Sequence, residues 1–181
     1  MIERIMIDPG HGGDDNGAVW GYAEEDDINL NIAYLLRCEL EKSYYIVELT
    51  REKDIYVRLS KRIKLAEDMS ADLFLSIHCD AFHNETASGM SVHIYQTANN
   101  ATRLLAKRIN EAMAIAFPLH KNRGVRESNF YVLREAGRMS SVLIECEFIS
   151  NPDTRKFLKE PENQLALARA IMDGIPKWGD V

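Results

Sequence analysis

The chain has 181 residues, enough for one domain around one core. Hydrophobic residues make up 46% and charged residues 28%, and no apolar run approaches the roughly 18 residues of a membrane helix, so membrane insertion is not expected. A formal net charge of −6 excludes the basic surface by which proteins hold nucleic acid.

Met1-Ile2-Glu3-Arg4-Ile5 has neither a basic n-region nor an apolar h-region, so no secretory signal is expected. Arg4-Ile5-Met6-Ile7 reads as a short strand stopped by Asp8-Pro9-Gly10. From Ile28, the positions Ile28, Ile32, Leu35, Leu36 and Leu40 share one helical face, with Asp26 or Asp27 as cap. Tyr44 to Leu49 is a β-branched and aromatic strand, and Leu59, Ile63 and Ala66 mark a second helix. Leu73-Phe74-Leu75-Ser76-Ile77 is the nearly unbroken apolar run of a strand covered on both faces. After a polar loop, Met90, Val92 and Ile94 alternate with Ser91, His93 and Tyr95. Ala101, Leu104, Leu105, Ala112 and Ala116 form a helical stripe ended by Pro118. Phe130 to Leu133 and Val142 to Ile149 read as two more strands, and a last helix uses Leu165, Ala168, Met172 and Ile175. Strands alternating with helices predict an α/β domain, a mostly parallel sheet with helices on both faces.

Such sheets gather their sites at the C-terminal ends of strands. Three strand ends carry reactive groups. The first runs into Gly10-His11-Gly12-Gly13, the apolar run into His78, and Val142-Leu143-Ile144 into Glu145. Glu25 lies in an acidic cluster before the first long helix. Two histidines and one carboxylate suit a catalytic zinc, whose fourth position is left for a water with its pKa lowered to roughly 7. A further carboxylate, Glu145, is then placed to move the proton. Each residue also has a plainer reading. A histidine at a strand end is often a surface or packing residue, acids at a helix start favour the macrodipole, and a lone glutamate can be a salt-bridge partner. Position alone leaves both readings open. The cysteines, Cys38, Cys79 and Cys146, are odd in number and widely spaced, and read as small apolar residues.

The strings Ile7-Asp8-Pro9-Gly10-His11-Gly12-Gly13, Glu25-Asp26-Asp27-Ile28-Asn29-Leu30 and Leu49-Thr50-Arg51 with Leu59 and Arg62 occur in that order. Phe74-Leu75-Ser76-Ile77-His78 and Val142-Leu143-Ile144-Glu145 with Phe148-Ile149-Ser150-Asn151-Pro152 follow. Together they resemble the zinc-dependent N-acetylmuramoyl-L-alanine amidases of the amidase-3 type over nearly the whole chain. The resemblance implies one catalytic domain over residues 1–181, built on a twisted, mostly parallel six-stranded sheet. It implies hydrolysis of the amide between N-acetylmuramic acid and L-alanine in bacterial peptidoglycan. It makes His11, Glu25 and His78 the ligands of one Zn2+, with Glu25 chosen over Glu24, and Glu145 the catalytic carboxylate. Asn122-Arg123-Gly124 and Ser128-Asn129-Phe130 match segments near the family's groove, making Arg123 and Asn129 candidates for binding the stem peptide. His83, His93 and His120 read as surface or packing residues.

Two departures stand out. Glu147 occupies a position where the family usually has glycine. Strand alternation sets it on the face of Glu145, where it either raises its neighbour's pKa or sits at the sheet edge in solvent. His78-Cys79-Asp80 replaces a His-Ala-Asn/Asp stretch, with Cys79 expected to point away from the site. Two rival readings remain: a zinc peptidase cutting within the stem peptide, and a non-catalytic wall-binding or regulatory module. The lack of a signal fits a phage-released endolysin or an excised domain of an exported autolysin. The acidic charge suggests a separate wall-binding domain, joined beyond Trp178-Gly179-Asp180-Val181.

Overall fold

A computed structural model describes residues 2–176; the expected attachment point at 178–181 lies outside them. Its frame is a six-stranded sheet. Strand β1 (Arg4–Pro9) lies inside it, with Ile5, Met6 and Ile7 wholly buried, because a central parallel strand is covered on both faces. A small hairpin of β2 (Val19–Trp20) and β3 (Ala23–Glu24) then leads into α1 (Glu25–Lys42). The helix buries Ile28, Ile32, Leu36 and Leu40 at four-residue spacing. It starts earlier than the sequence suggests. Glu24 is the N-cap residue, without a side-chain cap, so Asp26 and Asp27 lie in the first turn rather than capping it. Acids there favour the helix dipole. Tyr44 has a φ of 66°, which delays β4 (Ile46–Leu49) by two residues from the expected start.

The chain continues through α2 (Leu59–Met69), β5 (Leu73–Asp80), β6 (Met90–Ile94) and α3 (Asn100–Ala116). Then come β7 (Asn122–Glu127), α4 (Tyr131–Arg134), β8 (Ser140–Phe148), α5 (Pro152–Lys159) and α6 (Pro161–Asp173). The strand order is β4-β1-β5-β8-β6-β7. All neighbours are parallel except β6 against β8, so β6 and β7 run opposite to the other four. Among the described residues, no helix is long and apolar enough to cross a membrane.

Phe130–Leu133 is not a strand. The Phe130 carbonyl accepts from Leu133 N and Arg134 N at 3.2 and 3.0 Å, closing the turn of α4. A four-residue apolar run holds too few positions to separate a period of 2 from 3.6. Tertiary packing decides it, since Val132 and Leu133 turn into the core. Three further elements escape the hydrophobic pattern. Strand β7 is a polar edge strand, the β2–β3 hairpin is too short to show a period, and α5 is announced only by its Asn151-Pro152 cap.

The two faces are clothed unequally. On one, Leu73, Leu75, Ile77 and Cys79 of β5 join Val142, Ile144 and Cys146 of β8 in a large core closed by α1, α3 and α6. On the other, Met6, Phe74 and Leu143 pack on the shorter α2 and α4. Alternation along β5 and β8 puts His78, Asp80 and Glu145 on this second face, beyond its apolar core.

Candidate active site

The turn after β1 presents His11, and two buried arginines hold it. Arg51 donates from Nε to Pro9 O (3.1 Å) and from Nη2 to Gly10 O (3.0 Å) and Asp26 O (2.7 Å). Arg62 donates to Pro9 O and His11 O, both at 2.7 Å, and to Asp8 Oδ1 at 2.8 Å. Asp8, 1% exposed, also accepts from Thr50 Oγ1 at 2.6 Å and Ser76 Oγ at 2.8 Å. These carbonyl grips oppose a local strain. His11 has a φ of 61°, in the left-handed region that costs a non-glycine residue about 1–3 kcal/mol. Gly10 is required by close approach, because a Cβ there would lie 2.2 Å from the His78 ring.

Glu25, at the start of α1, sits between the two imidazoles. His78 Nδ1 lies 2.9 Å from its Oε1, and His11 Nε2 3.3 Å from its Oε2. Three N–H groups complete its shell: Ala18 N to Oε2 at 2.9 Å, with Cys79 N and Asn29 Nδ2 to Oε1, each at 3.2 Å. Burial opposes ionisation of Glu25, but the hydrogen bonds and charges of His11 and His78 win and hold it far below the usual carboxylate range. Burial likewise opposes charge on His11, yet Glu25 and Asp15 raise its pKa to about 8. Asp15 Oδ1 lies 2.9 Å from His11 Nδ1, fixing the ring with Nε2 towards Glu25. Ligand atoms of His11, Glu25 and His78 all lie within 4.8 Å of one another, a group able to hold a metal ion. Glu24 is exposed and outside this group. The Cys79 thiol is in the large core, so only its N–H reaches the site.

Glu145 pairs in register with His78 on one side and Ser91 on the other. It is 9% exposed, and its Oε2 has no hydrogen-bond partner. Burial first, then the charges of Asp80 and Glu25, push its pKa well above the usual range. The two histidines, Glu25 and Glu145 line one cleft of about 520 Å³, whose lining also includes Tyr56, Phe130 and Tyr131.

Glu147 fits neither sequence expectation. A β-bulge in β8 breaks the alternation, so that Asp80 pairs with Phe148 rather than Glu147. Glu147 is fully buried, accepts from Gly89 N (2.6 Å) and Phe148 N (3.0 Å), and pairs with His120 Nδ1 at 2.9 Å. His120 packs on Phe117 and Phe157, which lie against the large core. The like charges acting on Glu145 are therefore Asp80 and Glu25, not Glu147.

His93 is buried beside Phe130, between Ser91 Oγ (3.0 Å) and Ser128 Oγ (2.7 Å). His83 is exposed against Phe82. Asn129 is exposed, is not among the residues that line the cleft, and accepts from Arg134 Nη1 at 2.9 Å. Arg123 is half-buried in a neighbouring cavity that shares Asp80 with the cleft. Sequence reasoning missed the holding role of Asp8, Arg51 and Arg62, although all three stand in the motif strings that carry the family resemblance.

The family profile described as N-acetylmuramoyl-L-alanine amidase matches residues 5–177. The chain is 36% identical over 175 residues to N-acetylmuramoyl-L-alanine amidase LytC of Bacillus subtilis, covering 95% of this chain and 34% of that one. It is 37% identical over 176 residues to the probable cell wall amidase LytH of Staphylococcus aureus, covering 96% of this chain and 57% of the other. The chain thus spans between a third and three-fifths of the length of these curated relatives. The crystal structure of N-acetylmuramoyl-L-alanine amidase from Clostridium difficile 630 superposes with a TM-score of 0.91 at 34% identity, covering 96% of this chain and 94% of that one. By its motifs, its sheet and these matches, the chain belongs to the N-acetylmuramoyl-L-alanine amidase family.

Proposed function

We propose that residues 1–181 act as one catalytic domain that hydrolyses the amide between N-acetylmuramic acid and L-alanine in bacterial peptidoglycan. The observation that carries the reading is the His11–Glu25–His78 group set beside a buried carboxylate, Glu145, in one cleft. Two imidazoles and one carboxylate are the donor set of a catalytic zinc site. The packing of Gly10 against the His78 ring and of Gly17 against Glu25 and His11 fits a centre built to fixed dimensions. His11, Glu25 and His78 would hold a single Zn2+. When bound, it would supply Lewis acidity towards the scissile carbonyl and a water of lowered pKa.

The chain's own groups do the rest. Glu145, with Oε2 unpartnered, accepts a proton from the attacking water and returns it to the alanine nitrogen as the C–N bond breaks. Its raised pKa favours the proton-carrying half of that cycle, and a cation beside it favours the ionised half. Asp15 keeps the His11 ring in place. Peptidoglycan is the partner, and the protein acts on the cell wall, released with a phage or as part of a longer exported autolysin carrying its own wall-binding domain.

Purified peptidoglycan digested by the zinc-loaded protein should yield new L-alanine N-termini on amine labelling. Glu145→Gln should keep zinc and lose them. New N-termini of other residues would mean a stem peptidase, and near wild-type activity of the variant would remove Glu145 from the mechanism.

A further inference from the structure

The cleft does not end at Glu145. Asp80 lines both it and a second cavity of about 270 Å³ whose walls include Phe82, Asn84, Thr86, Arg123 and Phe148. The guanidinium of Arg123 lies 4.8 Å over the Phe148 ring and spends one bond on Ser88 O, at 3.1 Å. Among the described residues it makes no ion pair, whereas Arg37, Arg103 and Arg134 each meet a carboxylate. A half-buried arginine with free donors, held over an aromatic ring, suits a planar carboxylate. The cleft's own lining holds one arginine, Arg62, and it is committed to Asp8 and backbone carbonyls.

We propose that Arg123 forms a subsite for the C-terminal carboxylate of the stem peptide, so that the peptide leaves the cleft over Asp80 towards β7. This rests on the amidase reading and deepens it. Peptide carboxylates are the anionic groups of such a substrate. Asp80, at the junction, is placed to accept a peptide N–H. Glu147 is then a positioning residue. Its bonds to Gly89 N and Phe148 N fix the two backbone segments that frame Arg123. Gly89 has a φ of 117°, and a Cβ there would lie 2.7 Å from Arg123 Cγ.

The test uses N-acetylmuramoyl tripeptide with a free C-terminal carboxylate and the same compound as its C-terminal amide, with peptide release followed chromatographically. The wild type should prefer the acid about ten- to hundredfold in kcat/KM, carried by KM, as expected for a charged hydrogen bond. Arg123→Gln should raise KM for the acid by that factor, with far less effect on the amide, and Arg123→Lys should keep part of the preference. Glu147→Gln should shift KM for the acid in the same direction. Arg126→Gln, an exposed change on the same strand, is the control for charge alone. A wild type that treats both compounds equally, an Arg123→Gln that weakens both alike, or an Arg126→Gln that lowers the acid preference as much as Arg123→Gln does, overturns the subsite. If neither compound is cleaved, the amidase reading is what fails. Calorimetric affinities of the two for the wild type then decide the subsite, equal values overturning it.

Discussion

Replacing Arg62 by methionine removes four hydrogen bonds from a buried position. The lost bonds reach Val57 O (2.9 Å), Asp8 Oδ1, Pro9 O and His11 O. Both partners of the ion pair are nearly sealed, with side chains 3% and 1% exposed. Breaking such a pair from one side strands the other charge and costs about 3–5 kcal/mol, a large part of the roughly 5–15 kcal/mol that holds an average domain together. Thr50 and Ser76 still donate to Asp8 and pull the figure towards the lower end of that range. Urea unfolding should therefore show Arg62→Met destabilised by about 3 kcal/mol or more. Adding Asp8→Asn should recover about 1–2 kcal/mol of that loss, because the stranded charge is gone. Zinc affinity should fall as well, since the His11 carbonyl loses its anchor. A loss under about 1 kcal/mol, or no recovery in the double variant, would refute the claim that this pair braces the turn carrying His11.

Gly10→Ala should fold but fail to retain zinc, because its Cβ meets the His78 ring; elemental analysis against circular dichroism separates the two effects. With the His11 pKa at about 8, zinc affinity should fall about tenfold per pH unit below that value, as the proton competes for Nε2; an affinity flat from pH 8.5 to 6.5 would contradict this. His93 behaves oppositely to His11. Burial, then the charges of Arg126, His78 and Arg123, lowers its pKa to about 4. The unfolded chain takes up this proton near pH 6.5 and the folded one only near 4, so stability is lost as pH falls through that window. At about 1.4 kcal/mol per pKa unit, the full shift sets an upper bound of roughly 3 kcal/mol on this contribution. His93→Gln should flatten that part of the pH–stability curve, and an unchanged slope would reassign it.

The apolar strands were legible because burial on both faces leaves an unbroken mark, as in Leu73–Ile77. Helix α1 showed its stripe for a similar reason, having one face against the large core, whereas of the stripe read along α3 only Leu105 is buried and Ala101, Leu104 and Ala116 are exposed. Elements formed by other means were silent. Strand β7 is held by backbone bonds along an exposed edge, and α4 turns its short apolar run inward by tertiary packing alone. At the site, a strand-end histidine is visible by its position, but its partner is not. Glu25 and His78 lie 53 residues apart, and nothing local joins them. The depth of Asp8 and the grip of Arg51 and Arg62 emerge only when four segments converge.

The bulge in β8 shows how much one residue can alter. Without it, Glu145 and Glu147 would stand side by side about 7 Å apart on the same face, and each would feel the other's proton. The extra residue turns the second carboxylate towards His120 and the helical side. The sheet then acts as an insulator, and position 147 can gain or lose a charge without retuning the acid–base group two residues before it. Drift in the frame of the peptide end is thereby uncoupled from drift in the chemistry.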